Sequence, residues 1–190
     1  IDFNLNNELP YILFVPAYAA TAWYHGKLNF KVPLKTFLKE VEEFAMGQYA
    51  SALLKGNSLS PEERAIIAEK LSRYTGISQE FIERTDLRIG AQHFFKELLR
   101  ERGLTVGRLD SRFTGMDRSG VTATAEYDPL LTNVLGPYTA AFYDYVRSEL
   151  KFESDLPYEI LSEKVNVNWT YSQFENQYLN VAETLRQAMI

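Results

Sequence analysis

The segment from Leu9 to Tyr24 constrains this chain more than any other. It predicts a helix. Asn7 and Glu8 supply a cap, Pro10 falls in the first turn, Pro16 adds a kink and Gly26 ends it. Its side chains are apolar on nearly every side: Leu9, Tyr11, Ile12, Leu13, Phe14, Val15, Ala17, Ala19, Ala20, Ala22 and Trp23. A helix of that kind has to be covered on all faces. A chain of 190 residues can bury one such helix. Otherwise the cover comes from another domain. The segment is too short for a membrane span, and its prolines and hydroxyls make it too polar.

The rest of the pattern is also mainly helical. Leu34, Phe37, Leu38, Val41, Phe44, Ala45, Tyr49, Ala52 and Leu53 follow helical spacing, and Gly56 follows the end of that helix. Ser60-Pro61-Glu62-Glu63 is a capping box whose helix reaches Tyr74-Thr75 and stops at Gly76. Ser78 caps a short helix through Phe81 and Ile82. A further helix is expected from about Ile89 to Arg102, before Gly103. Leu104 to Leu109 reads as a short strand, and Asp110 to Tyr127 as loop. Asp128-Pro129 opens a helical turn that Gly136-Pro137 should interrupt. Pro137 to Leu150 then forms a helix with Tyr138, Phe142, Tyr145 and Val146 inward. Ile160 to Trp169 suits a second strand. Phe174, Tyr178, Val181, Ala182, Leu185 and Met189 mark a last helix. The fold class expected is mainly α, one helical domain over residues 1–190 with a small antiparallel β element of two or three strands.

Composition removes several chemistries. Cysteine is absent, so thiol catalysis and thiolate metal sites are excluded, while the redox compartment stays open. Two histidines, His25 and His93, are too few for a multi-histidine metal centre. No cofactor or metal motif occurs: no glycine-rich phosphate loop, no His-Glu-x-x-His and no acidic calcium loop. The net charge of −5 argues against a nucleic-acid partner, and no segment suggests a membrane. The aromatic share is high at 14%.

The most site-like stretch is Gly107-Arg108-Leu109-Asp110-Ser111-Arg112-Phe113-Thr114-Gly115-Met116-Asp117. Arg108 and Arg112 can each bind a carboxylate bidentately. The plainer reading is a self-satisfied loop in which Arg108 or Arg112 pairs with Asp110 or Asp117. Tyr18, Trp23 and Tyr24 on the first helix are candidates to line an apolar substrate pocket. The plainer reading makes them core. Tyr18, Trp23, Tyr24, Arg108, Asp110 and Arg112 are therefore the candidate binding residues. No catalytic residue is assigned. No Gly-x-Ser-x-Gly elbow exists, and Ser111 lies on no recognisable strained turn. His25 suits a helix C-terminus, and His93, beside Phe94-Phe95, suits a structural role.

Leu9-Pro10-Tyr11-Ile12-Leu13-Phe14-Val15-Pro16-Ala17-Tyr18-Ala19-Ala20-Thr21-Ala22-Trp23-Tyr24-His25 resembles a segment of bacterial members of the serine carboxypeptidase family, which are α/β-hydrolases. Val41-Glu42-Glu43-Phe44-Ala45 agrees in order. So do Thr105-Val106-Gly107-Arg108-Leu109-Asp110-Ser111-Arg112-Phe113, Gly136-Pro137-Tyr138-Thr139-Ala140-Ala141-Phe142 and Asn180-Val181-Ala182-Glu183-Thr184-Leu185-Arg186. In that family the nucleophile lies upstream of such a segment, and the catalytic aspartate and histidine lie downstream. The resemblance thus implies a cap (lid) insertion of a hydrolase, with the triad outside the chain. His25, His93 and Ser111 match none of its catalytic positions. The opening Ile1-Asp2-Phe3-Asn4 and the uncapped helical ending suit a segment excised from a longer chain. An insertion would bring the two ends to neighbouring strands, roughly 5 Å apart.

The partners so implied are the catalytic core of the parent hydrolase and the C-terminus of a peptide substrate. A dimer of the isolated domain through its bare apolar face stays open. Two rivals remain. One is a non-enzymatic helical interaction domain that binds a protein through the first helix. The other is a small enzyme built on His25 or His93, which requires a carboxylate and a hydroxyl within hydrogen-bond reach of an imidazole.

Overall fold

A computed structural model describes residues 7–156 together with 159, 160, 162 and 164. Helix α1 spans Leu9–Tyr24, with Pro10 in its first turn and Pro16 inside it. The Asn7 side chain accepts the Leu9 amide at 3.3 Å, so the cap comes from one residue further out than Glu8. Ile12, Val15, Tyr18, Ala19 and Ala22 of α1 are buried. They pack against α2 (Leu34–Phe44) and, beyond α3 (Ala50–Lys55), against α4 (Pro61–Thr75). Phe37, Val41 and Leu71 are fully buried between these helices.

The single helix expected from Leu34 to Leu53 is two helices joined by a π-helical turn, Ala45–Tyr49. Its i→i+5 hydrogen bonding stacks Phe44 on Tyr49, with ring centroids 6.0 Å apart and planes at 14°. Both halves of the Ser60–Glu63 capping box are present. Gly76 ends α4 in the left-handed region, and the Ser78 hydroxyl accepts the Phe81 amide to begin α5 (Gln79–Arg84).

The segment after α5 breaks a rule. Asp86 and Leu87 have positive φ, 53° and 66°, without being glycine. Such residues cost about 1 kcal/mol or more each and need support from their surroundings. Two buried tyrosines give it. The Tyr49 hydroxyl donates to the Leu87 carbonyl at 2.6 Å, and the Tyr18 hydroxyl donates to the Ile89 carbonyl at 3.3 Å. Burial pushes both phenols well above their ordinary pKa, so they stay protonated donors.

The helix expected from Ile89 to Arg102 is shorter. Helix α6 covers Ala91–Glu97, and a 3₁₀ turn at Arg100–Arg102 leads to Gly103. Strand β1 (Leu104–Val106) then pairs antiparallel with β2 (Thr114–Met116), with Thr105 opposite Gly115. β2 lies inside the stretch read as loop. Its centre is Gly115, a poor strand former. A Cβ there would sit 2.3 Å from the Tyr127 hydroxyl, which donates to the Met116 carbonyl at 2.8 Å. Glycine is what lets Tyr127 cross the strand.

Helix α7 covers Pro129–Asp144 and runs on through Pro137, followed by a π-helical turn at Tyr145–Glu149. Gly136-Pro137 therefore does not interrupt it: a proline removes one ladder donor, and the remaining bonds carry the helix on. Tyr138 and Tyr145, expected inward, are exposed at 69% and 50%.

Among the described residues the architecture is mainly helical with one small two-stranded antiparallel sheet. The chain divides into two compact units, residues 1–135 and 136–190. The second strand expected at Ile160 to Trp169, the last helix and both chain ends lie outside the described residues, apart from positions 160, 162 and 164.

Candidate functional site

The loop between β1 and β2 is closed by its own backbone. The Gly107 amide donates to the Phe113 carbonyl at 2.9 Å, and the Phe113 amide to the Asp110 carbonyl at 3.2 Å. A Cβ on Gly107 would fall 2.5 Å from the Asp110 carbonyl oxygen, so the turn requires glycine there. Within it, Arg112 grips Asp110 bidentately: Nε lies 2.9 and 3.2 Å from the two carboxylate oxygens, and Nη2 lies 2.7 Å from Oδ2. The Arg112 amide also donates to Oδ1 at 3.1 Å. These bonds hold the Asp110 carboxyl at about 2, well below the ordinary aspartate range. Arg112 and Asp110 thus cancel one another within the loop, while Asp117 pairs with Lys96 of α6.

The end of α1 and this loop are stitched at Ser111. The Thr21 hydroxyl donates to the Ala17 carbonyl at 2.9 Å, and the Ser111 hydroxyl lies 2.7 Å from Thr21 Oγ1. With the Thr21 proton on Ala17, the Ser111 hydroxyl is the donor of that second bond. His25, the residue that caps α1, brings Nε2 to 2.7 Å from the Ser111 carbonyl. A carbonyl only accepts, so Nε2 carries a proton and donates. Neither group is placed for nucleophilic catalysis: the imidazole faces backbone, and the serine hydroxyl faces threonine. His93 packs beside Phe81, with centroids 6.1 Å apart. Among the described residues neither imidazole hydrogen-bonds a carboxylate, as a triad requires.

The candidate residues divide among different surroundings. Tyr18 belongs to the core, stacked on Phe94 with centroids 4.0 Å apart. Its hydroxyl is satisfied by the Ile89 carbonyl, not by a ligand. Trp23 is partly exposed, and its indole N–H donates to the Val32 carbonyl at 2.9 Å. Tyr24 is exposed and sets its ring edge-on to His25, near Arg112. Arg108 faces elsewhere. It lines an open cleft of about 800 Å³ with Tyr11, Phe14, Arg88, His93 and Leu109.

Charged groups that the sequence pattern did not single out hold the frame. Arg88 meets both carboxylate oxygens of Glu8 through Nε and Nη2, at 2.6–3.2 Å, and Asp86 through Nη1 at 2.6 Å. Lys96 is fully buried. Its ammonium donates to the Asp117 carboxylate, to the Ser119 carbonyl and, at 2.8 Å, to the Thr122 hydroxyl. Arg100 binds Glu97 and the Gly120 and Thr122 carbonyls. Two cations thus pin the segment after β2. The available signal was a lysine inside the apolar run Phe94-Phe95-Lys96-Glu97-Leu98-Leu99.

Among the described residues one face of α1 stays uncovered. Leu9, Leu13, Ala17, Ala20 and Tyr24 recur at helical spacing on its outward side, and none is buried. No polar side chain interrupts that row. Among the described residues no group of acidic, histidine or cysteine side chains could hold a metal, and no helix is long and apolar enough to cross a membrane. No protein-family model, curated protein or solved structure matches the chain.

Proposed function

We propose that this chain is the cap domain of a serine-type carboxypeptidase of the α/β-hydrolase class, seated over a Ser-His-Asp triad that lies outside the 190 residues. The observation that carries this reading is the bare row on α1: Leu9 and Leu13, 51% and 40% exposed, leading to Tyr24 at 55%. Covering each side chain would contribute roughly 1 kcal/mol. A helix so apolar, in the segment that most resembles the serine carboxypeptidases, suits a surface that a catalytic core covers.

The core would supply the chemistry. Its serine would attack the last peptide carbonyl and form an acyl-enzyme, while an oxyanion hole holds the developing charge. The cap's part would be to exclude water and shape access. The engagement of Ser111 with Thr21, and of His25 with backbone, agrees with a chain that adds no nucleophile of its own.

The test is the reading frame around these residues together with the activity of the 190-residue chain. A Gly-x-Ser-x-Gly upstream and an aspartate and histidine downstream are expected, with no release of C-terminal residues by the chain alone. Serine-dependent release by the isolated chain, abolished by Ser111→Ala, overturns the reading. A frame without the upstream elbow also overturns it, in favour of a non-enzymatic interaction domain.

A further inference from the structure

Tyr138 and Tyr145, which the sequence pattern turns inward, stand exposed. With Phe142 they lie four and three residues apart along α7 and the turn that follows it, so the three share one face. After that turn the chain folds back, and the Phe152 amide donates to the Val146 carbonyl at 3.1 Å. Phe142, Tyr143 and Val146 form a groove there with Phe152 and Leu156. Row and groove join at Phe142, and all of these residues belong to the second compact unit. Tyr138, Phe142, Tyr145, Phe152 and Leu156 are 37% to 76% exposed. At roughly 200 Å² for a large apolar side chain, they leave roughly 600 Å² open. That matches the largest patch of a typical monomer, which is often functional. Two such patches face to face bury about 1,200 Å², where stable interfaces begin.

The chemistry around the row fits a second copy of the same chain. No residue from Gly136 to Tyr143 is charged. The positions that flank the row are Thr139, Ala141, Val146 and Ser148. All are neutral, so they neither repel an identical helix nor select a partner of opposite charge. Asp144 lies about 200° round the helix from Phe142 and faces away from the row. Glu149, which is exposed, continues the row four residues beyond Tyr145. Two parallel helices would set Glu149 against Glu149. An antiparallel pair sets it opposite Tyr138, whose hydroxyl is a donor for the carboxylate. The same register brings Phe142 of each copy to Tyr145 of the other, which gives two aromatic layers.

We propose that the chain forms a homodimer through this patch, with two α7 helices antiparallel about a two-fold axis. Phe142 of each copy packs on Tyr145 of the other, and each Tyr138 hydroxyl donates to the other copy's Glu149 carboxylate. Phe152 and Leu156 widen the apolar contact beside the seam. The interface uses no residue of α1 and holds whether or not a hydrolase core covers that helix.

The test is sedimentation equilibrium of the 190-residue chain and its variants, with circular dichroism to confirm folding. A dimer in reversible exchange with monomer is expected. Tyr145→Glu should weaken association at least about tenfold, because it places a charge inside the seam. Leu13→Glu, on α1, should leave association unchanged. Orientation is read by cross-linking, which is clean because the chain has no cysteine of its own. Tyr138→Cys and Glu149→Cys chains, mixed under mild oxidation, should form disulfide-linked dimers that neither forms alone. A chain that stays monomeric at all concentrations overturns the proposal. So does a dimer that Leu13→Glu dissociates or that Tyr145→Glu leaves intact. Cross-linking of either cysteine variant alone as readily as in the mixture also overturns it, as does no cross-link in the mixture.

Discussion

Thr21 and Ser111, 90 positions apart in sequence, place their hydroxyl oxygens 2.7 Å from one another. With His25 on the Ser111 carbonyl, this pair fastens the β1–β2 loop to the end of α1. Ser111→Ala removes one bond and leaves Thr21 its own acceptor, Ala17. The expected cost is about 1 kcal/mol in urea unfolding, with faster amide exchange from Arg112 to Thr114. A loss several times larger would show that the serine bears more of the fold than this contact does.

Asp110 should titrate far from its neighbours. Arg112 depresses its carboxyl to about 2, against an ordinary value of about 3.9. A depressed carboxyl stabilises the fold above the unfolded pKa, and that contribution is lost as pH falls through the folded value. The loop should therefore loosen between roughly pH 4 and pH 2. Carbonyl NMR should give the low value in the native chain and a return to the ordinary range in Arg112→Ala. A native Asp110 that titrates near 4 defeats the prediction.

Lys96 and Asp117 form the buried pair whose loss should cost most. Burial raises the Asp117 carboxyl, but the Lys96 ammonium and the Ser119 amide outweigh it and hold the group below its usual range. Lys96→Met leaves a carboxylate that is only 4% exposed without its cation. The expected cost is about 3 kcal/mol. Adding Asp117→Leu should recover part of it, since an apolar pair tolerates burial. Additive losses in this double-mutant cycle would mean that the two groups are not coupled.

Leu13→Glu separates the stability of the chain from what its α1 face does. Leu13 is 40% exposed, so the Tm of the 190-residue chain should move little, by about 0.5 kcal/mol or less in stability. In a longer protein that carries the proposed core, the same change should lower Tm and weaken the cap's seat. If the isolated chain unfolds instead, the face is covered from within.

Local signals were the ones legible in the sequence. Ser60 with Glu63, the left-handed Gly76 and the Ser78 cap depend on neighbours within a turn, and each formed as its residues predict. The Asp110–Arg112 pair is legible for the same reason, since two positions separate its members. Thr21–Ser111 and Lys96–Asp117 are set by packing across the fold, and no spacing rule reaches them. Tyr18 shows the opposite difficulty. Its place on the first helix leaves pocket and core both open, and what decides is the Ile89 carbonyl, close to two left-handed residues that periodicity does not reveal. Strand β2 was hidden by Gly115, whose place depends on Tyr127.

The π-helical turn at Ala45–Tyr49 makes this stretch unusually tolerant of losing one residue. In an ordinary helix, residues five apart point about 140° away from each other. Phe44 and Tyr49 share a face only because the turn is wide. Deleting Gly47, around which a Cβ would meet nothing within 4 Å, takes the extra residue out of the turn. Phe44 and Tyr49 would then be four apart, about 40° from each other in an ordinary helix, and would still share a face. Ala52 and Leu53 would stay on the core side, and the Tyr49 hydroxyl would stay on the side of the Leu87 carbonyl. A deletion at position 47 should therefore cost much less than one inside α2, where it would turn everything beyond it by about 100°.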